Sequence, residues 1–226
     1  MLWRHGQTVW NAERRFQGQS DIPLDETGQA QAERAARLLA GLRPDLIVSS
    51  DLSRAAGTAA PLARLTGLEV TLDKDLRERH GGCWEGLTDT EIRARYPAEH
   101  ANWTPPDGEP SSVVADRVAV ALHRVATVLA EGPVLATGPA LATGPVLAGG
   151  AAAEPGLTTG LAVVVSHGAA LRLGMSRLLG MPEELFGALG PLSNCSWSVL
   201  GRRHGRWRLL EHNAGTLPEP ILSDDR

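Results

Sequence analysis

The sequence predicts an α/β fold of three layers, with helices on both faces of a mostly parallel central sheet. Three observations carry this. Leu46-Ile47-Val48-Ser49 and Leu161-Ala162-Val163-Val164-Val165-Ser166 are short, β-branched apolar runs, as expected of strands covered on both faces. Segments with helical apolar spacing lie between such runs, and that alternation builds a parallel sheet with crossover helices. Residues able to do chemistry follow directly on the strands, where open α/β sheets bind their ligands.

Met1 to Arg4 reads as the end of a strand. Asp25 is placed to cap a helix over about 26–42, with Ala32, Ala35, Leu39 and Leu42 at helical spacing. Pro44 precedes the strand at 46–49, and a second helix is expected over 52–65, ending near Gly67. Glu69 to Leu72 reads as another strand. Thr88-Asp89-Thr90-Glu91 has capping-box spacing, and Pro97 closes the short helix it opens. From Ser112, the stripe Val114, Val118, Leu122, Val125 and Leu129 predicts a longer helix.

Residues 132–149 then read GPVLAT GPALAT GPVLAG, a six-residue repeat too short to build a solenoid. Its Gly and Pro oppose both helix and ladder, so a low-complexity insertion over about 132–160 is expected within a single domain spanning 1–226. Order resumes at 161–166, followed by a helix from Gly168 to Gly180, which Pro182 stops. Strands are expected at about 196–200 and 207–211, with a short tail from about 214.

With 226 residues and 42% hydrophobic side chains, the chain can bury a substantial core. A net charge of −4 argues against nucleic acid or an acidic lipid surface as partner. Cys83 and Cys195 form no CxxC, and the remaining histidines have no metal-ligand spacing, so neither a metal nor another cofactor is expected. Apolar runs are broken by Gly and Pro, and no basic-then-apolar leader is visible; a cytoplasmic protein without a membrane span is expected. A homodimer is compatible with the sequence, which does not fix the oligomeric state.

The residues after the strands are Arg4-His5-Gly6, Ser49-Ser50-Asp51-Leu52-Ser53-Arg54 and His167-Gly168, with Leu76-Arg77-Glu78-Arg79-His80 in a Gly-rich turn between them. Singly, each has a structural explanation: a hydrogen-bonded histidine, a capping arginine, a solvated glutamate. The sheet rule brings two arginines, two histidines and a glutamate to one crevice.

Five blocks in order carry a resemblance. RHGQTVWN resembles the RHG-x-T-x-x-N signature of the histidine phosphatase superfamily, the phosphoglycerate mutase-like proteins. FQGQSDIPLDETG, SSDLSRAAGTA, LRERHGGCWEG and VVVSHGAALR are similar to its later blocks, and agreement covers roughly 3–131 and 161–212. NCSWSVL and RWRLLEHNAG look most like the glucosyl-3-phosphoglycerate phosphatase branch. Members carry several apolar residues before RHG. Only Met1-Leu2-Trp3 stand here, which a start assigned too far downstream or a truncated chain accounts for.

The resemblance implies phosphoryl transfer from a small phosphorylated metabolite through a phosphohistidine, without metal. His5 would be the nucleophile, with Gly6 leaving room beside its ring. Arg4 and Arg54 would hold the non-bridging oxygens, helped by a protonated His167. Glu78 would serve as acid and then base, with Glu85 as a structural partner. Asn11, Gln17 and the Gly18 backbone would complete the phosphate pocket, with Gly168 beside His167 and His80 at the entrance. Asn194 reads as a turn residue, and Thr8 as a local cap. The short segment 86–112 favours a phosphatase over a mutase, although Arg79-His80 echoes the mutases and DGEPSS departs from the phosphatase pattern. A mutase-type phosphotransferase and a non-catalytic binding protein on this fold are the alternatives.

Overall fold

The computed structural model describes residues 1–131 and 160–216. The insertion at 132–159 and the tail from 217 lie outside the described residues. The elements run β1 (Leu2–Arg4), α1 (Val9–Ala12), α2 (Glu26–Gly41), β2 (Leu46–Ser49), α3 (Ser53–Thr66), β3 (Val70–Leu72), α4 (Asp89–Arg95), α5 (Pro97–Ala101), α6 (Ser111–Glu131), β4 (Ala162–Ser166), α7 (Gly168–Leu178), β5 (Trp197–Arg203) and β6 (Arg206–Ala214). Three single 3-10 turns, at Lys74–Leu76, Gly82–Trp84 and Glu183–Leu185, lie in the connections.

The strands form one six-stranded sheet in the order β3-β2-β4-β1-β5-β6. The first four are parallel neighbours, and β5 turns the sheet antiparallel at β1. The two-residue strand alternation sorts the core into two halves. Leu2, Val48, Ala162 and Val164 face α6 and α7, packing with Val114, Val118, Leu122, Leu171 and Met175. Trp3, Ile47, Val163 and Val165 face the other way, onto Ala32, Ala35, Leu39, Ala55, Ala59 and Leu62 of α2 and α3. The expected three layers are therefore present.

Local signals explain most boundaries. The Asp25 carboxylate accepts the Gly28 N–H at 2.7 Å and opens α2. Thr88 and Glu91 form the reciprocal box that opens α4. Gly67, at φ 73°, closes α3 in the left-handed conformation. Leu42 departs from its expected place in the apolar stripe: it caps α2 from outside the helix and is half exposed. The β5–β6 pair is longer than expected because His204 and Gly205, both at positive φ, form the two-residue turn that matches strand twist.

Registers set the site. β4 lies between β1 and β2, with Arg4 opposite Ser166 and Ser49 opposite Val165. The residues following each strand thus emerge along one edge: His5 from β1, His167 from β4 and Ser50 from β2. Residues 73–110 cover this edge, with Trp84 fully buried against Phe16 and Trp103.

Candidate active site

A cleft of about 190 Å³ opens at that edge. Arg4, His5 and Glu78, from strand ends and the Gly-rich turn, line it together with Asn11, Gln17 and Gly18, which the resemblance implied. Arg54 and His167 lie directly beneath, completely buried. The His5 and His167 rings stand 5.2 Å apart between centroids.

The protonation of His5 follows from its partner. Nδ1 lies 2.7 Å from the Gly6 carbonyl oxygen, which only accepts, so Nδ1 carries the proton. The lone pair is then on Nε2. Burial, then Arg54 and Arg4, push the His5 pKa well below its usual value, outweighing the Gly6 contact. His5 is therefore a neutral imidazole at physiological pH. Its backbone is fixed from three sides: His5 N–H donates to Ser166 O, and its carbonyl accepts from Cys195 N and Asn194 Nδ2.

Arg54 is the hub beneath the cleft. Its Nε–H donates to His167 Nδ1 at 3.2 Å, Nη1 to Ser20 O and Nη2 to Gly18 O. Burial lowers its pKa to about 10, with Glu78, Asp21 and Glu85 opposing, so it stays charged at neutral pH. Two of its five N–H groups remain for an anion. Arg4 reaches the Leu192 carbonyl through Nη1.

His167 differs from expectation. Because Nδ1 accepts from Arg54, the proton sits on Nε2, which donates to Ser50 Oγ at 2.9 Å. Burial first, and then the positive Arg54, hold its pKa well below the ordinary range. The imidazole is neutral rather than protonated. It is still an N–H donor, but toward Ser50.

Glu78 stands at the start of α7. Its Oε1 accepts from Arg79 N and Ala170 N, and its Oε2 from Ala169 N. Three backbone N–H groups, two of them at a helix N-terminus, fix the carboxylate at the cleft wall. Glu85 is structural, as expected: it accepts from Gln19, Gly81 and Ser20 and holds the loop that carries Gly18. Thr8 caps α1 with Asn11 as its reciprocal partner, and its hydroxyl reaches Gln17 Oε1.

Three other expectations change. His80 does not line the cleft; its side chain is half exposed, 3.8 Å from Glu85. Gly168 is buried as the first residue of α7 and contributes nothing to the lining, where its neighbour Ala169 stands instead. Gly6 is needed for a different reason from the one expected: a Cβ there would fall 2.5 Å from the Gly28 carbonyl, so Gly6 lets α2 approach β1.

The sequence reading missed Ser50 and the positioning role of Asn194, which ties His5 O to Asn11 Oδ1. Ser50 was within reach of the strand-end rule. Asn194 carried no signal beyond its place in a loop, and the following Cys195 has positive φ. Arg15 also reaches the cleft, beside Gln17, as do Asn102, Trp103 and Arg172 from segments remote in sequence.

Among the described residues, no three His, Cys, Asp or Glu side chains gather as a metal site, and no helix is long and apolar enough to cross a membrane.

The chain is similar to known proteins over nearly its whole length. The chain is 38% identical over 228 residues to the glucosyl-3-phosphoglycerate phosphatase of Mycobacterium tuberculosis, covering 95% of this chain and 93% of that protein. It is 35% identical over 213 residues to a probable phosphoglycerate mutase of Citrobacter koseri, covering 91% and 86%. A solved structure of mycobacterial glucosyl-3-phosphoglycerate phosphatase with VO3 superposes with a TM-score of 0.79 at 36% identity, covering 95% of this chain and 98% of that one. The family profile of the histidine phosphatase superfamily (branch 1) matches residues 1–138 and 145–215. With nearly the whole chain matched, this protein belongs to branch 1 of the histidine phosphatase superfamily.

Proposed function

We propose that this chain hydrolyses a small phosphomonoester through a phosphohistidine formed on His5. The observation that carries the reading is the state of His5: neutral, its Nδ1–H fixed on Gly6 O, and its Nε2 lone pair available beside Arg4 in the cleft.

In the first step, Nε2 attacks phosphorus and the P–O ester bond breaks. Arg4 and Arg54 hold the non-bridging oxygens, where planar forks suit the developing charge. The leaving alkoxide takes a proton from Glu78 in its acid form. In the second step, Glu78 accepts a proton from water, the hydroxyl attacks phosphorus, and the P–N bond breaks to release phosphate. Asn11, Gln17 and Gly18 complete the phosphoryl pocket. His167 acts by holding Arg54 rather than by carrying charge, and no metal takes part.

The substrate supported best is glucosyl-3-phosphoglycerate, on which the mycobacterial relatives are named as acting. Likeness to a probable mutase makes phosphoglycerate interconversion the competing reading. Turnover of an aryl phosphate in EDTA, lost together with acid-labile labelling in His5→Ala, is the expected result. Labelling that survives His5→Ala would place the nucleophile elsewhere. Interconversion of 2- and 3-phosphoglycerate faster than phosphate release would favour the mutase.

A further inference from the structure

The cleft holds more positive charge than a phosphoryl group needs. Arg4, Arg15, Arg79 and Arg172 line it against a single carboxylate, Glu78. Arg15 is committed to Glu13, Glu91 and the Gly86 carbonyl. Arg4, with Arg54 below, faces the phosphoryl dianion. Two arginines remain.

Arg79 is buried, and it donates through Nε to Glu109 O and through Nη1 to Trp103 O, leaving three N–H groups. Burial lowers its pKa; Glu78 and Glu109 raise it, and Arg172 lowers it further, so the two guanidiniums repel. Arg172 lies one turn into α7, where Ala169, Arg172 and Leu173 share the face that walls the cleft. Its Nε is buried without a partner. Among the described residues it makes no hydrogen bond or ion pair. A half-buried guanidinium with an unpartnered Nε–H, set beside a second guanidinium, is favoured when an anion joins the two.

We propose that Arg172, with Arg79 beside it, reads a carboxylate on the substrate and so selects phosphorylated hydroxy acids over phosphate esters without one. The fork of Arg172 matches a carboxylate with two parallel bonds. This inference rests on the reading of His5 as the phosphoryl acceptor, and it assigns specificity within that same site.

The test compares 3-phosphoglycerate with glycerol 3-phosphate, which carries a hydroxymethyl group in place of the carboxylate, and with an aryl phosphate as a neutral reference. The wild type should prefer 3-phosphoglycerate over glycerol 3-phosphate in kcat/KM. Arg172→Gln should lower kcat/KM on 3-phosphoglycerate roughly tenfold to a hundredfold, mainly through KM, the size expected for losing a charge-assisted contact. The other two esters should change by less than about twofold. Arg172→Lys should restore part of the loss, since it keeps the charge but not the fork. Equal losses on all three esters, or no loss on any, would overturn the assignment, as would a wild type without carboxylate preference. If the wild type fails on the aryl phosphate too, the phosphatase reading itself falls; if that activity is intact and dependent on His5, only the specificity assignment falls.

Discussion

Lowering the pH from about 7.5 to about 5.5 is expected to destabilise this fold by about 3 kcal/mol through His5 and His167 alone. Both rings are fully enclosed, and both are held neutral by burial and by Arg54. In the unfolded chain each titrates near the ordinary value of 6.5. Below that value the unfolded state binds two protons that the folded state refuses, so stability falls as pH falls and is regained as pH rises through it. Over those two pH units each unfolded histidine gains about 1.4 kcal/mol of protonation free energy, hence about 3 for the pair. Urea unfolding at both pH values, for the wild type and for His5→Asn/His167→Asn, isolates this contribution. The other five histidines are common to both proteins and cancel. The double variant should lose about 3 kcal/mol less on acidification. The same loss in both proteins would refute neutral, enclosed imidazoles.

Two further substitutions probe the site and its support. Glu78→Gln should slow the first turnover of an alkyl phosphate roughly a hundredfold or more, and that of p-nitrophenyl phosphate far less, because nitrophenolate leaves without a proton. Equal slowing in rapid-mixing measurements would remove Glu78 as the acid. Gly6→Ala should lower thermal stability by about 1–3 kcal/mol, because the added methyl meets the Gly28 backbone rather than a side chain that can turn aside. An unchanged melting temperature would contradict the close approach.

The architecture was legible because its strands are extreme. The runs at 46–49 and 161–166 have no polar side chain before their final serines, and both sheet faces are covered. His5, Arg54, Glu78 and His167 were legible because strand ends and one Gly-rich turn are where this fold brings chain segments together. His80 was misplaced because neighbouring side chains part here: Arg79 is buried on Glu109 O and Trp103 O, while His80 stands half exposed near Glu85. The neutral state of His167 follows from its burial and from the Arg54 guanidinium beside it, and no sequence pattern encodes either. Asn194 and Arg172 are set by tertiary approach: Asn194 reaches back 189 positions to His5, and Arg172 enters the cleft only because α7 packs with Ala169 and Leu173 on the same wall.

The placement of β1 also bears on when the protein becomes an enzyme. Its ladder partners are β4 and β5, at Val164 and beyond, whereas β2 pairs with the nearby β3 and packs on the local α2 and α3. During synthesis at about 5–20 residues per second, the strand carrying His5 waits roughly 10–30 seconds for β4 to appear. Loop closure over so many residues makes this pairing a late event. A half-made chain can therefore hold β2, β3 and their helices while offering no oriented imidazole and no buried Arg54–His167 pair. On this ordering the nascent protein stays chemically silent until β4 has been threaded between β1 and β2, and a truncated product that lacks the C-terminal third should be inert rather than promiscuous.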